Sequence, residues 1–262
     1  MTDRTTDGQQ EVTRRAVLRS GAGVAAAGAT TALSAPPAAA RTRPGRRPAG
    51  LPTEVAGVPL PDGEVARRAV AFARRVSSET LFNHVLRSYV FGTLLVDHPE
   101  VRYDRELGFV AAVLHDLGLV EAFRTPSERF EVDGADAARR FLERLRVPAE
   151  RVEVVWDAIA LHTSAGIAAR KRPEIALVCA GSGVDFTGHG LERIPSDAVT
   201  EVLDAFPRRQ FKQVAVDTML SLCRTKPMGE LMHPFAEVGR RHLPGFPVPT
   251  VEDLVLTAPF TE

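Results

Sequence analysis

From Asp62 onward, apolar residues return every three or four positions, the period of helices that turn one face inward. Val65, Ala69, Phe72 and Val76 form the first stripe. A second helix is predicted from Ser78 to about Val96, stopped by Pro99. Asp104 has the character of an N-cap for a third, which passes through Leu107, Val110 and Leu114 toward His115-Asp116, with Gly118 as its stop signal. Asp133 is read as the cap of a fourth helix, with Ala138, Phe141, Leu142 and Leu145 facing inward. Pro148 opens a fifth, whose stripe of Val152, Val155 and Ile159 continues to His162. Pro173 introduces a helix ending near Gly188, and two more are expected around Ser196–Phe206 and Arg208–Arg224. Sustained strand alternation and internal repeats are both lacking. The pattern predicts one all-α domain over residues 54–245, with a Pro-containing tail at 246–262.

The first forty residues read differently. Arg14-Arg15 precedes a mildly apolar Ala/Gly stretch from about Gly21 to Leu33, and Ala38-Ala39-Ala40 supplies small residues suited to a signal peptidase. That order resembles a twin-arginine export signal, an address read by the twin-arginine translocation machinery. The stretch is too short and too Ala-rich for a stable membrane span. Residues 1–40 are therefore expected to be a cleavable signal peptide, and residues 41–53, rich in Arg, Pro and Gly, a disordered linker. The mature protein is expected outside the cytoplasm.

Composition narrows the function classes. Thirty-three basic residues balance thirty-three acidic ones, so charge offers no argument for a nucleic-acid partner. Two cysteines, Cys179 and Cys223, are too few for a disulfide framework.

What stands out is an ordered series of groups able to bind a metal: His84, His115-Asp116, His162 and Asp185, all within or at the ends of core-facing helices. Burying carboxylates beside imidazoles is costly unless hydrogen bonds or a cation compensate. The series, with the doublet set in Ala111-Ala112-Val113-Leu114-His115-Asp116-Leu117-Gly118, resembles the HD superfamily of metal-dependent enzymes. Phe130-Glu131-Val132-Asp133-Gly134-Ala135, Trp156 through Thr163, and Ala176-Leu177-Val178 leading to Val184-Asp185 are similar to the cyanamide hydratase branch. The resemblance runs from about residue 60 to 240 and implies an HD-domain helical bundle. It further implies a divalent metal, Zn²⁺ in that branch, on His84, His115, Asp116 and Asp185, and the addition of water to a small nitrile-like substrate. Cyanamide, which would give urea, leads the substrate expectations.

On this reading His162 does proton work at the metal, and Asp116 serves as proton acceptor as well as ligand. Asn83 and Thr163, beside His84 and His162, are expected to support them by hydrogen bonds. Two alternatives stand beside it. One is an HD-type phosphohydrolase acting on a nucleotide or phosphate ester, for which Arg87 and Arg170-Lys171-Arg172 are the available cations. The other is an exported metal-binding protein without catalysis. His98, His233 and His242 are expected to be exposed or structural.

Overall fold

The computed structural model describes residues 50–260. The expected signal peptide, most of the expected linker and the last two residues lie outside the described residues. A hairpin of two-residue strands, β1 (Glu54–Val55) and β2 (Val58–Pro59), leads into helices α1 (Glu64–Val76), α2 (Glu79–Val96), α3 (Arg105–Leu114), α4 (Phe130–Arg144), α5 (Ala149–Ala160), α6 (Ala165–Ala168), α7 (Pro173–Thr187), α8 (Ser196–Ala205), α9 (Phe211–Thr225), α10 (Phe235–His242) and α11 (Val251–Leu256). The fold is all-α apart from that hairpin. Among the described residues, no helix is long and apolar enough to cross a membrane.

The helix ends follow local chemistry. Ser78 Oγ accepts from Leu81 N–H and opens α2, and Asp104 Oδ1 accepts from Leu107 N–H at 2.9 Å to open α3. Pro173 occupies the first turn of α7, and Gly188 closes it in the left-handed region at φ 82°. Thr250 and Asp253 form a reciprocal capping box on α11, a helix inside the segment expected only as a tail.

One expected cap is corrected. α4 starts at Phe130, and Asp133 lies within its first turn. The Asp133 carboxylate is buried and satisfied by Lys226, by Thr125 N–H at 3.1 Å and by the Thr125 hydroxyl at 2.6 Å. Those partners remove the cost that normally pushes aspartate out to a cap.

α2 is buried on every side from Phe82 to Thr93, as expected of a central helix, and its most extensive contact is with α7. Two glycines permit that approach. A Cβ on Gly181 would run into the Ser88 carbonyl, and one on Gly92 into the Leu177 carbonyl. Only a hydrogen side chain lets these backbones come so close. The close crossing places His84 and Arg87 of α2 directly against Asp185 of α7.

Candidate metal centre

The doublet sits where α3 unwinds. Leu114 is the last helical residue, His115 keeps helical dihedrals, and Asp116 leaves them at φ −100°, ψ 17°. The chain then presses onto α4 so closely that a Cβ on Gly118 would overlap the Phe130 carbonyl. His115 Nδ1–H donates back to the Ala112 carbonyl at 2.7 Å, satisfying one of the carbonyls left open at the helix end. The same device recurs after α5, where His162 Nδ1–H donates to the Ile159 carbonyl at 2.6 Å. A carbonyl only accepts, so each Nδ1 carries the hydrogen, and Nε2 of the neutral ring presents a lone pair.

Three Nε2 atoms converge on one carboxylate. His84 Nε2 lies 3.3 Å from Asp116 Oδ2, His115 Nε2 3.4 Å from the same oxygen, and His162 Nε2 3.7 Å from Asp116 Oδ1. One donor atom from each of His84, His115 and Asp116 falls within 4.8 Å of the others, and all three residues are buried. Two donors about 2.1 Å from one ion at tetrahedral angles would be about 3.4 Å apart, so the observed spacing suits a shared divalent cation.

Protonation supports that fit. Burial pushes His115 down to about 4, outweighing the pull of Asp116, so its ring is neutral at neutral pH. Its Nε2 is buried with no hydrogen-bond partner. A bare lone pair beside a carboxylate is unfavourable unless a cation lies between them. Burial alone would raise Asp116, but the surrounding imidazoles outweigh it and hold the carboxyl below the usual carboxylate range. His84 behaves differently. Burial opposes its charging, yet hydrogen bonds to Asp116 and Asp185 outweigh burial and raise it above the ordinary histidine value.

The expected fourth ligand, Asp185, stands behind His84 and outside the donor cluster. Its Oδ2 accepts from His84 Nδ1–H at 2.7 Å and from Arg87 Nη2 at 2.7 Å, while Oδ1 accepts from Arg87 Nε at 2.8 Å and from Arg208. Both oxygens are thus engaged, and Asp185 holds the His84 ring so that Nε2 points inward. Arg87 is fully buried, and its remaining reach goes to the Phe206 carbonyl at 2.9 Å. Phe211 of α9 stacks on His84 with ring centroids 4.7 Å apart and covers the cluster from that side. The expected supporting residues point elsewhere. Asn83 donates to the Pro207 carbonyl at 3.0 Å, and the Thr163 hydroxyl donates to Glu131.

Sequence reasoning missed a second polar group beside this centre. His233, placed at sequence level with exposed or structural histidines, is buried, and its Nε2 lies 3.1 Å from Glu131 Oε1. Arg129 and Thr163 also donate to that oxygen. Phe130 links the two regions, packing edge-on against both His162 and His233 with centroids 5.5 and 5.8 Å apart. The available signal was Glu131 on the first turn of an inward-facing helix, a carboxylate that burial obliges to find a partner.

Comparison with known protein families matches residues 81–206, from α2 to the end of α8. The model matched there is that of the HD domain. The matched segment contains His84, the His115-Asp116 doublet, His162 and Asp185. HD domains are generally metal-dependent hydrolases and bind divalent metals, in agreement with the His-His-Asp cluster. No curated protein is matched by the chain.

Proposed function

We propose that this HD domain is a zinc-dependent hydratase or hydrolase that adds water to the nitrile or amide group of a small molecule, with His84, His115 and Asp116 as the metal ligands. The observation that carries this reading is the convergence of those three buried donors, with His115 Nε2 lacking any other partner. The nitrile end of the reading rests on the resemblance to the cyanamide hydratase branch.

A divalent ion held there supplies Lewis acidity and lowers the pKa of water toward neutrality. The chain supplies orientation and proton handling. Asp185 and Arg87 lock His84, and the Ala112 and Ile159 carbonyls fix the tautomers of His115 and His162. Nitrile hydration forms a C–O σ bond and then a C=O π bond, removes both C–N π bonds and leaves both protons of water on the amide nitrogen. Asp116 Oδ1, facing His162, accepts a proton from the attacking water. His162 Nε2, on the same side, takes that proton from Asp116 and passes it to the nitrogen. The same relay moves the second proton from oxygen to nitrogen as the imidic acid becomes the amide.

Phosphate chemistry finds less support. Arg87 and Arg208 are committed to Asp185 and Arg129 to Glu131, while Arg170, Lys171 and Arg172 bond locally at an exposed helix end. Arg193, exposed at the cavity rim, is the one Lys or Arg among the described residues lining the site. Zinc-loaded protein should convert nitriles or cyanamide to amide or urea, lose that activity to a chelator, and leave a nucleotide panel intact. Release of phosphate without any hydration would overturn the reading.

For residues 1–40 we propose twin-arginine export, supported by the order of Arg14-Arg15, apolar stretch and Ala38-Ala39-Ala40. A reporter fused to this segment should be exported, and the Arg14→Lys/Arg15→Lys pair should block it. Unchanged export of the paired variant would remove the assignment.

A further inference from the structure

Above the donor cluster lies a cavity of about 580 Å³. That volume falls within the range of sites for drug-sized ligands. Cyanamide, with three non-hydrogen atoms, would occupy only a small part of it.

The carboxylate, imidazole and guanidinium groups of the lining fall into two sets. The inner end holds His84, His115, Asp116, His162 and His233, and the mouth is rimmed by exposed Thr187, His189, Glu192 and Arg193. Between them the wall is mostly hydrocarbon, from Leu81, Leu119, Phe130, Phe211, Val214 and Met219. The hydroxyls of Ser182 and Thr218 there are spent on the Cys179 and Val214 carbonyls. A charged or strongly hydrated group lying along this wall would lose water without gaining a partner.

The room has an identifiable source. Ala176, Ala180 and Gly183 recur at helical spacing on one face of α7, and all three line the cavity. A Cβ added to Gly183 would meet nothing within 4 Å. A helix otherwise rich in Leu, Val and Ile thus presents its smallest side chains here, and larger ones would fill the space.

We propose that this cavity takes a predominantly apolar molecule of about ten non-hydrogen atoms or more, whose single uncharged polar head enters the donor cluster while its hydrocarbon body lies along α7 and α9. The proposal rests on the reading of His84, His115 and Asp116 as the reactive end. The substrate class becomes medium-chain or aryl-alkyl nitriles and amides, in place of cyanamide itself. The chemistry is unchanged: one water is consumed and no oxidant or reductant enters. A nitrile exchanges its two C–N π bonds for the C=O of an amide, and an amide exchanges its C–N σ bond for a C–O bond and releases ammonia.

The test is a straight-chain nitrile series from propionitrile to octanenitrile. Binding is measured by calorimetry on chelator-treated and zinc-loaded full-length protein, and amide formation is followed separately. Burying each added methylene should tighten binding about fourfold, with or without metal. Gly183→Leu should flatten the series while leaving metal stoichiometry intact, and Ala180→Leu provides the same test should Gly183→Leu fold poorly. Affinity independent of chain length, or an undiminished gain in both plugged variants, would overturn the proposal. Tightening with chain length but no amide product would retire the hydration reading and leave the cavity assignment standing.

Discussion

His84 and Asp185 form a buried hydrogen bond of 2.7 Å that joins α2 to α7 and turns the opposite ring nitrogen toward the metal centre. Under the proposed ligand set Asp185 acts on the metal through His84, and its own charge is balanced by Arg87 and Arg208. Asp185→Asn should retain the fold and weaken zinc binding about ten- to a hundredfold. Competition titration with a zinc chelator measures this. Complete loss of binding in a folded variant would show that Asp185 is itself a ligand.

Gly181 tests whether the α2–α7 crossing builds the site. Its missing Cβ is what lets α7 meet the Ser88 carbonyl. Gly181→Ala should separate the helices, cost about 1–3 kcal/mol and weaken metal retention along with stability. Denaturant unfolding paired with metal analysis checks both. A variant as stable as the parent would mean the crossing is not tight.

The Lys226–Asp133 pair lies away from the donor cluster and joins the segment after α9 to α4. Both residues are almost wholly buried. Lys226→Ala strands the Asp133 charge and should cost about 3–5 kcal/mol, whereas Lys226→Met with Asp133→Leu should recover much of that loss. Denaturation midpoints at fixed pH measure the difference. Equal destabilisation by the single and double changes would contradict a stranded charge.

Glu131 and His233 give a stability term bounded in pH. Burial favours a neutral Glu131 carboxyl, but hydrogen bonds from His233 and Arg129 outweigh it and depress the group below 4.5. Its contribution is present above 4.5 and is lost as pH falls through the depressed value. Burial likewise opposes charge on His233, while hydrogen bonds to Glu131 and Glu230 raise it above 6.5. Its contribution is complete below 6.5 and is lost as pH rises through the raised value. Relative to Glu131→Gln/His233→Asn, the parent should gain most stability between pH 4.5 and 6.5. Melting curves across pH test this, and a pH-independent difference would refute it.

The helices were legible because their signals are local. Ser78, Asp104, Pro173 and Gly188 each act within one turn, and the apolar stripes needed no distant partner. The gathering of His84, His115 and Asp116 was legible from their order in core-facing helices. The engagement of Asp185 was not, because spacing cannot show that Arg87 and Arg208 reach both of its oxygens. Asp133 looked like a cap because Lys226, its partner 93 residues away, leaves no local trace. The partner of His233 was hidden for the same reason: Glu131 lies 102 positions away.

The proposed binding of one divalent ion by His84, His115 and Asp116 can be read most directly from anomalous difference density at the zinc edge in crystals of zinc-loaded protein. A single strong peak bounded by His84 Nε2, His115 Nε2 and an Asp116 carboxylate oxygen is expected. Loaded crystals with no peak there, or with the ion bound elsewhere on the chain, would contradict it.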